Sequence, residues 1–406
     1  MPAAASRNQF FRRLCCAPQP SQGYGRQAET AGGSVGVGPP GLSGSVWSEL
    51  AAVRGSVERV VAARRGGHPA PPDIGLGCTC LFSGVIIRHP DTAFFDLQLE
   101  LFTLKPHINT VEDGVYQITL TPPLEGFADF ISVWLVKGPP TFLVDVGPAS
   151  TAGQLAHALE TLGCSRLDYI LLTHIHLDHA GAVGQIARRF RTARVVCHAK
   201  GIPHLVDPAK LWEGTRKVLG PVADGYGPLE PLPAERFVAA QGFAADGIDA
   251  VITPGHASHH VSYFSPAALF AGEACGVHYD VPGGRDYMRP ATPPTFFMNT
   301  ALDSIDALIA RRPGRMVVGH FGMKPNGAGL LRRHREQLLF WEQWMSARIG
   351  QYAADAAVPC CVDGLLAEDP LLGAFGLFPQ PAQERERYFL KNSVSGFLGW
   401  LTAPKG

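Results

Sequence analysis

Thr173-His174-Ile175-His176-Leu177-Asp178-His179-Ala180-Gly181 sets three imidazoles and a carboxylate into one short turn. Apolar packing does not select such a density of ligating side chains. Neutral imidazole and carboxylate oxygen are donors suited to Zn²⁺, and also to Fe or Mn. The run Tyr169 to Thr173 reads as a buried strand and Gly181 to Phe190 as the helix after it. The histidines therefore stand at the carboxyl end of a strand, where open α/β folds build their sites. In an extended segment His174 and His176 share a face, while Asp178 and His179, beyond the strand end, reach a neighbouring position. Two adjacent metal positions are expected.

Further ligands recur at strand ends along the chain. Phe142-Leu-Val-Asp-Val-Gly147 places Asp145 at the end of an apolar strand. In Thr253-Pro-Gly-His256 the Pro-Gly pair forces a turn that presents His256. Leu269-Phe-Ala-Gly-Glu273 carries a carboxylate out of another apolar strand, and Met316-Val-Val-Gly-His320 does the same with an imidazole. Each is a weak signal alone; together, in this order, they are specific.

With these residues the chain resembles the metallo-β-lactamase superfamily, over roughly Val111 to Lys324, and Leu-Asp-His-Ala-Gly looks most like its glyoxalase II and lactonase branches. The resemblance implies an α/β fold, a four-layer αβ/βα sandwich with metals at the rim between two sheets, carrying here a C-terminal helical extension. It implies that His174, His176 and His256 hold one metal, that Asp178, His179 and His320 hold the other, and that Asp145 orients a ligand from behind. Where the family usually has a bridging aspartate this chain has Glu273, which keeps the charge and adds a methylene. Two divalent ions, zinc first and Fe or Mn as alternatives, would make a metal-bound hydroxide the nucleophile, with Asp178 and Glu273 as the catalytic carboxylates. No serine nucleophile is needed, and Gly32-Gly-Ser-Val-Gly36 lacks the strand and helix of a nucleophile elbow.

The expected activity is hydrolysis of a small-molecule ester, thioester or lactone; an iron-dependent oxidoreductase of the persulfide dioxygenase kind is the alternative on the same fold. Cys197 to Pro208 supplies His198 and His204 near the metals, with His204 a substrate contact and a packing role the blander reading of His198. His259 and His260 follow His256 at once and suit supporting roles. The Pro- and Gly-rich stretch Val277 to Pro294 reads as a long lid whose Tyr279, Tyr287 and Arg289 contact substrate. Cys275 reads as a packing residue.

Charged residues make up 17% of the 406 residues and the formal net charge is zero, which argues against a nucleic-acid partner. No run approaches the length of a membrane span, so no membrane partner is expected. Nine cysteines, an odd number without zinc-ribbon spacing, suit reduced thiols and a cytoplasmic location. The expected organisation is a poorly ordered extension over 1–105 with one amphipathic helix at Val46 to Arg64, a catalytic domain over 106–325, and a helical region over 326–406. Aromatic residues on the last helices serve either homodimer contacts or the cover of the domain.

Overall fold

A computed structural model describes residues 78–82, 85–89, 107–281 and 285–403. By its contacts the chain divides into two units, Met1–Gln98 and Leu99–Gly406. In the first, β1 (Cys78–Phe82) and β2 (Val85–His89) pair as an antiparallel hairpin within the stretch expected to be a poorly ordered extension. The helix expected at Val46 to Arg64 lies outside the described residues.

In the second unit, a seven-stranded sheet runs in the order β3 (His107–Glu112), β4 (Val115–Leu120), β5 (Ile131–Val136), β6 (Phe142–Val144), β7 (Tyr169–Leu171), β8 (Arg194–Cys197), β9 (Phe237–Ala239). It is antiparallel from β3 to β6 and parallel from β6 to β9. The change of sense comes where helices enter the chain: α1 (Ala152–Thr161) links β6 to β7, and α2 (Leu177–Ala180) with α3 (Val183–Arg189) links β7 to β8. Parallel neighbours need such crossovers. A six-stranded sheet follows in the order β10 (Ala244–Ala245), β11 (Ile248–Ile252), β12 (Val261–Phe264), β13 (Leu269–Phe270), β16 (Met316–Val317), β17 (Met323–Lys324).

Strand alternation explains how two sheets and their helices form one body. On β6, Phe142 and Val144 join a cluster with Trp134, Leu171, Val196, Val261, Tyr263, Phe270 and Val317, while Leu143 points to the opposite face. On β8, Val196 joins that cluster and Val195 and Cys197 face away. The first set is the interior between the sheets; the second packs under helices, so these strands are apolar on both faces. This is the αβ/βα sandwich. Tyr263 from the second sheet locks the layers by donating its hydroxyl to the carbonyls of Leu172 (2.9 Å) and Val196 (3.1 Å) in the first.

The C-terminal helices α8 (Gly327–Ser346), α9 (Ala357–Glu368) and α10 (Gln380–Thr402) share the large outer core, to which they bring Leu338, Trp341, Leu365, Val394 and Phe397. The helix α7 (Met298–Ala310) packs against α8. Among the described residues no helix is long and apolar enough to cross a membrane.

The expected lid at Val277 to Pro294 is corrected. β14 (Val277–Val281) and β15 (Arg285–Arg289) pair as an antiparallel hairpin. Val277, Tyr279 and Val281 alternate into the core and Tyr287 follows them, so most of the stretch expected to be a loop is strand. Among the described residues of this stretch, only those after β15 are irregular.

Candidate metal centre

The candidate ligands and Asp145 follow the carboxyl ends of strands, and after β6, β13 and β16 positive-φ backbone turns the chain. After β6, Asp145 adopts a left-handed conformation (φ 58°) followed by Gly147 (φ 71°); Gly272, just before Glu273, has φ 53°, and His320, after β16, has φ 69°. Non-glycine residues seldom occupy this region, and such positions gather where a site needs a side chain turned out of line. The His320 turn is tied to the first sheet by Ser132, whose hydroxyl donates to the His320 carbonyl at 2.6 Å. At Gly272 a Cβ would lie 2.5 Å from His260 Nε2, so the turn into Glu273 requires glycine.

The side chains gather in two adjoining groups, His174, His176, His256 and Glu273 in one, and Asp178, His179 and His320 in the other. Asp178 and His179 stand on the one-turn helix α2 rather than on free chain beyond the strand. His176 Nδ1 lies 2.9 Å from both His174 Nε2 and His256 Nε2. Glu273 spans the groups: Oε2 is 2.8 Å from His256 Nε2 and 3.3 Å from His174 Nε2, and Oε1 is 3.1 Å from His320 Nε2.

Surrounding groups fix which nitrogen of each ring is free. Thr173 Oγ1 donates to Asp145, so at 3.1 Å it accepts from His174 Nδ1 and leaves Nε2 facing the cluster. Asp145 Oδ2 accepts from His179 Nδ1 at 2.8 Å, and His179 Nε2 has no hydrogen-bond partner. The carbonyl of Ala291 takes the Nδ1 proton of His256 at 2.9 Å. His174 and His256 thus aim unprotonated Nε2 atoms at His176 and at the Glu273 carboxylate, and His179 turns its Nε2 toward the same cluster. Such convergent lone pairs repel unless a cation sits among them, so the donor set fits divalent metal.

His260 supports Glu273 from behind. Its Nε2 accepts the Glu273 backbone N–H at 3.1 Å, which leaves the ring proton on Nδ1 for Thr253 Oγ1 at 2.9 Å. Thr253 in turn donates to Ser262 Oγ at 2.9 Å, and Ser262 to the carbonyl of Ala271 at 3.0 Å. This closed relay holds the strand end from which Glu273 projects.

The electrostatics follow from burial and neighbours. Burial, then the adjacent imidazoles, holds His174 and His176 well below the ordinary histidine range, so both are neutral. Burial acts the same way on His179, but Asp145, Asp178 and Glu273 outweigh it and push that ring up to about 10. Burial alone would raise Glu273; His256 and His320 hold it well below the carboxylate range instead.

A cleft of about 650 Å³ opens over the centre, with His176, Asp178, His256, Glu273 and His320 in its floor. Of the expected substrate contacts, His204 lines it. Tyr279 does not: it is 5% exposed and packs edge-on against Phe378 and stacked with Phe130. Arg289 reaches the wall, but its Nε donates to the buried Glu386 carboxylate at 2.6 Å, so its charge is already matched. His198 stands outside the cleft lining; its Nδ1 accepts the Lys200 N–H at 3.0 Å. His259 lines the cleft and is lowered to about 4 by burial and then by His256 and His198. Cys275 packs, its thiol pushed up to about 12 by burial.

Sequence reasoning passed over Thr173, although it adjoins the first histidine, and the helix α5 (Ala209–Leu219), which walls the cleft. The recurrence of Leu211, Thr215 and Val218 on one helical face was the available signal.

Comparison with known proteins agrees with this geometry. Residues 126–320 match the sequence model of the Metallo-beta-lactamase superfamily. The metallo-beta-lactamase fold-containing protein ST1585 of Sulfurisphaera tokodaii is 27% identical over 231 residues, covering 54% of this chain and 83% of that one. A hydroxyacylglutathione hydrolase of Xanthomonas campestris is 27% identical over 209 residues, covering 50% of this chain and 66% of the relative. The solved structure of the Sulfolobus tokodaii protein superposes with a TM-score of 0.53 at 24% identity, covering 70% of this chain and 98% of that one.

Proposed function

Because the chain belongs to the metallo-β-lactamase superfamily and is a metallo-hydrolase, we propose that its two ligand groups hold two divalent ions, zinc first, and that it cleaves an ester, thioester or lactone. The observation that carries this reading is Glu273, one carboxylate oxygen on His256 and the other on His320, joining the two groups. His174, His176, His256 and Glu273 would hold one ion, and Asp178, His179 and His320, with Glu273 shared, the other. Bound there, the ions supply an acidified water and a Lewis acid for the scissile carbonyl.

The chain's own groups prepare the site. Thr173, Asp145 and the Ala291 carbonyl keep the Nδ1 protons of His174, His179 and His256 away from the cluster. The His260 relay sets the height of Glu273. Asp178, on the cleft floor, faces the reacting atoms together with Glu273. In the reaction the acyl carbon gains a water oxygen, the carbon–sulfur or carbon–oxygen bond breaks, and a water proton ends on the leaving thiolate or alkoxide. Relatives named hydroxyacylglutathione hydrolases support the thioester end of this range.

The test is turnover of zinc-loaded protein on aryl esters, lactones and thioesters, a hydroxyacylglutathione among them, before and after chelation. Cleavage lost with the metal and regained with zinc is expected. Failure on the whole panel with two zinc ions bound would overturn the hydrolase reading; bound iron with oxygen uptake would replace it with oxygen chemistry.

A further inference from the structure

The cleft has a wall that metal ligation does not explain. Helix α5 buries none of its residues, yet Leu211, Thr215, Val218 and Leu219 line the cleft along one helical face. Val218 is 66% exposed, and Phe297, also in the cleft lining, is 60% exposed. These are two of the five large hydrophobic side chains exposed among the described residues. Phe389 of α10 adds another apolar side chain to the lining. Apolar side chains left open beside reacting groups, inside a concavity, are the usual make-up of a ligand pocket.

Charge recognition in the same cleft is sparse. Arg289 is buried and directs its Nε to Glu386, a carboxylate that Arg385 shares. Lys210 lines the cleft, and among the described residues no carboxylate pairs with it. A single lysine is a poor complement to a carboxylate-bearing peptide thiol such as glutathione, whereas the α5 wall and Phe297 suit a hydrocarbon arm.

We propose that this enzyme selects its substrate by an apolar acyl chain of medium length, laid along Leu211 and Val218 of α5 and against Phe297, with the acyl carbon over Glu273. The proposal rests on the hydrolase reading and adds the substrate class to it. Each methylene moved from water onto this wall favours the bound state by about 0.8 kcal/mol, about fourfold.

The experiment pairs kinetics with direct binding. kcat/KM of the zinc-loaded enzyme is measured on p-nitrophenyl esters from acetyl to decanoyl, and octanoate binding by calorimetry. The expected result is a rise of about fourfold per methylene up to about octanoyl. Val218→Asp and Phe297→Ser flatten that rise and weaken octanoate binding at least tenfold, whereas Val218→Leu keeps both. Both residues are largely exposed, and melting curves confirm that the variants are folded.

A flat chain-length series with no octanoate binding, in an enzyme that does cleave esters, overturns the proposal and leaves the hydrolase reading intact. Octanoate binding that depends on Val218, without cleavage of any ester, sustains the apolar pocket and overturns the hydrolase reading. A dimer that Val218→Asp dissociates, with no octanoate bound to either form, assigns the wall to a second copy of the chain and overturns the proposal.

Discussion

Replacing Asp145 with asparagine perturbs both folding and metal binding at this site. The Asp145 carboxylate accepts the Thr173 N–H on Oδ1 at 2.8 Å, the Thr173 hydroxyl on Oδ2 at 2.9 Å, and His179 Nδ1–H on Oδ2 at 2.8 Å. In Asp145→Asn the amide oxygen still serves Thr173, and asparagine tolerates the left-handed backbone at this position. The amide nitrogen, however, now donates toward His179 Nδ1. The neutral ring that an ion requires must then carry its proton on Nε2, the atom that faces Asp178 and Glu273 at 3.9 and 3.6 Å. A protonated Nε2 cannot ligate. In the metal-free protein at neutral pH the variant also leaves the His179 cation without its matching charge, so the expected loss is about 3–5 kcal/mol of stability, with about 10- to 100-fold in affinity for the ion at the Asp178 group. Asp145→Ala is expected to cost more stability, about 1–3 kcal/mol for each buried donor left without an acceptor. Urea unfolding of metal-free protein and zinc competition against a chromophoric chelator read the two quantities. Zinc bound as tightly by Asp145→Asn as by the parent would refute the assignment of Asp145 to the tautomer of His179.

Other consequences test neighbouring parts of the argument. His179 is raised to about 10 in the metal-free protein, against an ordinary value of about 6.5, so its ion pair with Asp145 contributes stability fully below about pH 6.5 that is lost as pH rises through about 10. Melting of metal-free protein between neutral and alkaline pH should show this fall, and Asp145→Asn should lack it. Glu386→Gln leaves the Arg289 and Arg385 guanidinium groups buried without a matching charge and is expected to cost about 3–5 kcal/mol in urea unfolding; a change under 1 kcal/mol would show that water reaches the cluster. Gly272→Ala forces a Cβ to 2.5 Å from His260 Nε2 at a left-handed position, so it should lower both melting temperature and metal content, and unchanged metal content would sever His260 from the placement of Glu273.

The candidate ligand cluster was legible because its chemistry is local. Histidines and carboxylates that close apolar strands have few other uses; the strand ends at His256, Glu273 and His320 do meet in space, and Asp145 reaches the cluster through His179. The helical wall was not legible, because the spacing of Leu211 and Val218 says that the helix has an apolar face but not that the face looks onto a cleft. Tyr279 was misplaced, and the pairing of Arg289 missed, for a related reason. Proline and glycine around them signalled a loop, whereas the alternation of Val277, Tyr279 and Val281 that turns Tyr279 inward was outweighed. The partner that neutralises Arg289, Glu386, lies 97 residues away and carries no local signal. The relay from His260 through Thr253 and Ser262 likewise depends on strands that meet only in the folded sheet.

The most direct measurement is the number and identity of metal ions per chain in protein purified without added metal, compared between the parent and Glu273→Ala. Two ions in the parent, zinc first, and a loss of one or both in the variant are the expected results. Two ions retained at full affinity in Glu273→Ala would contradict the role of that carboxylate as the link between the two ligand groups.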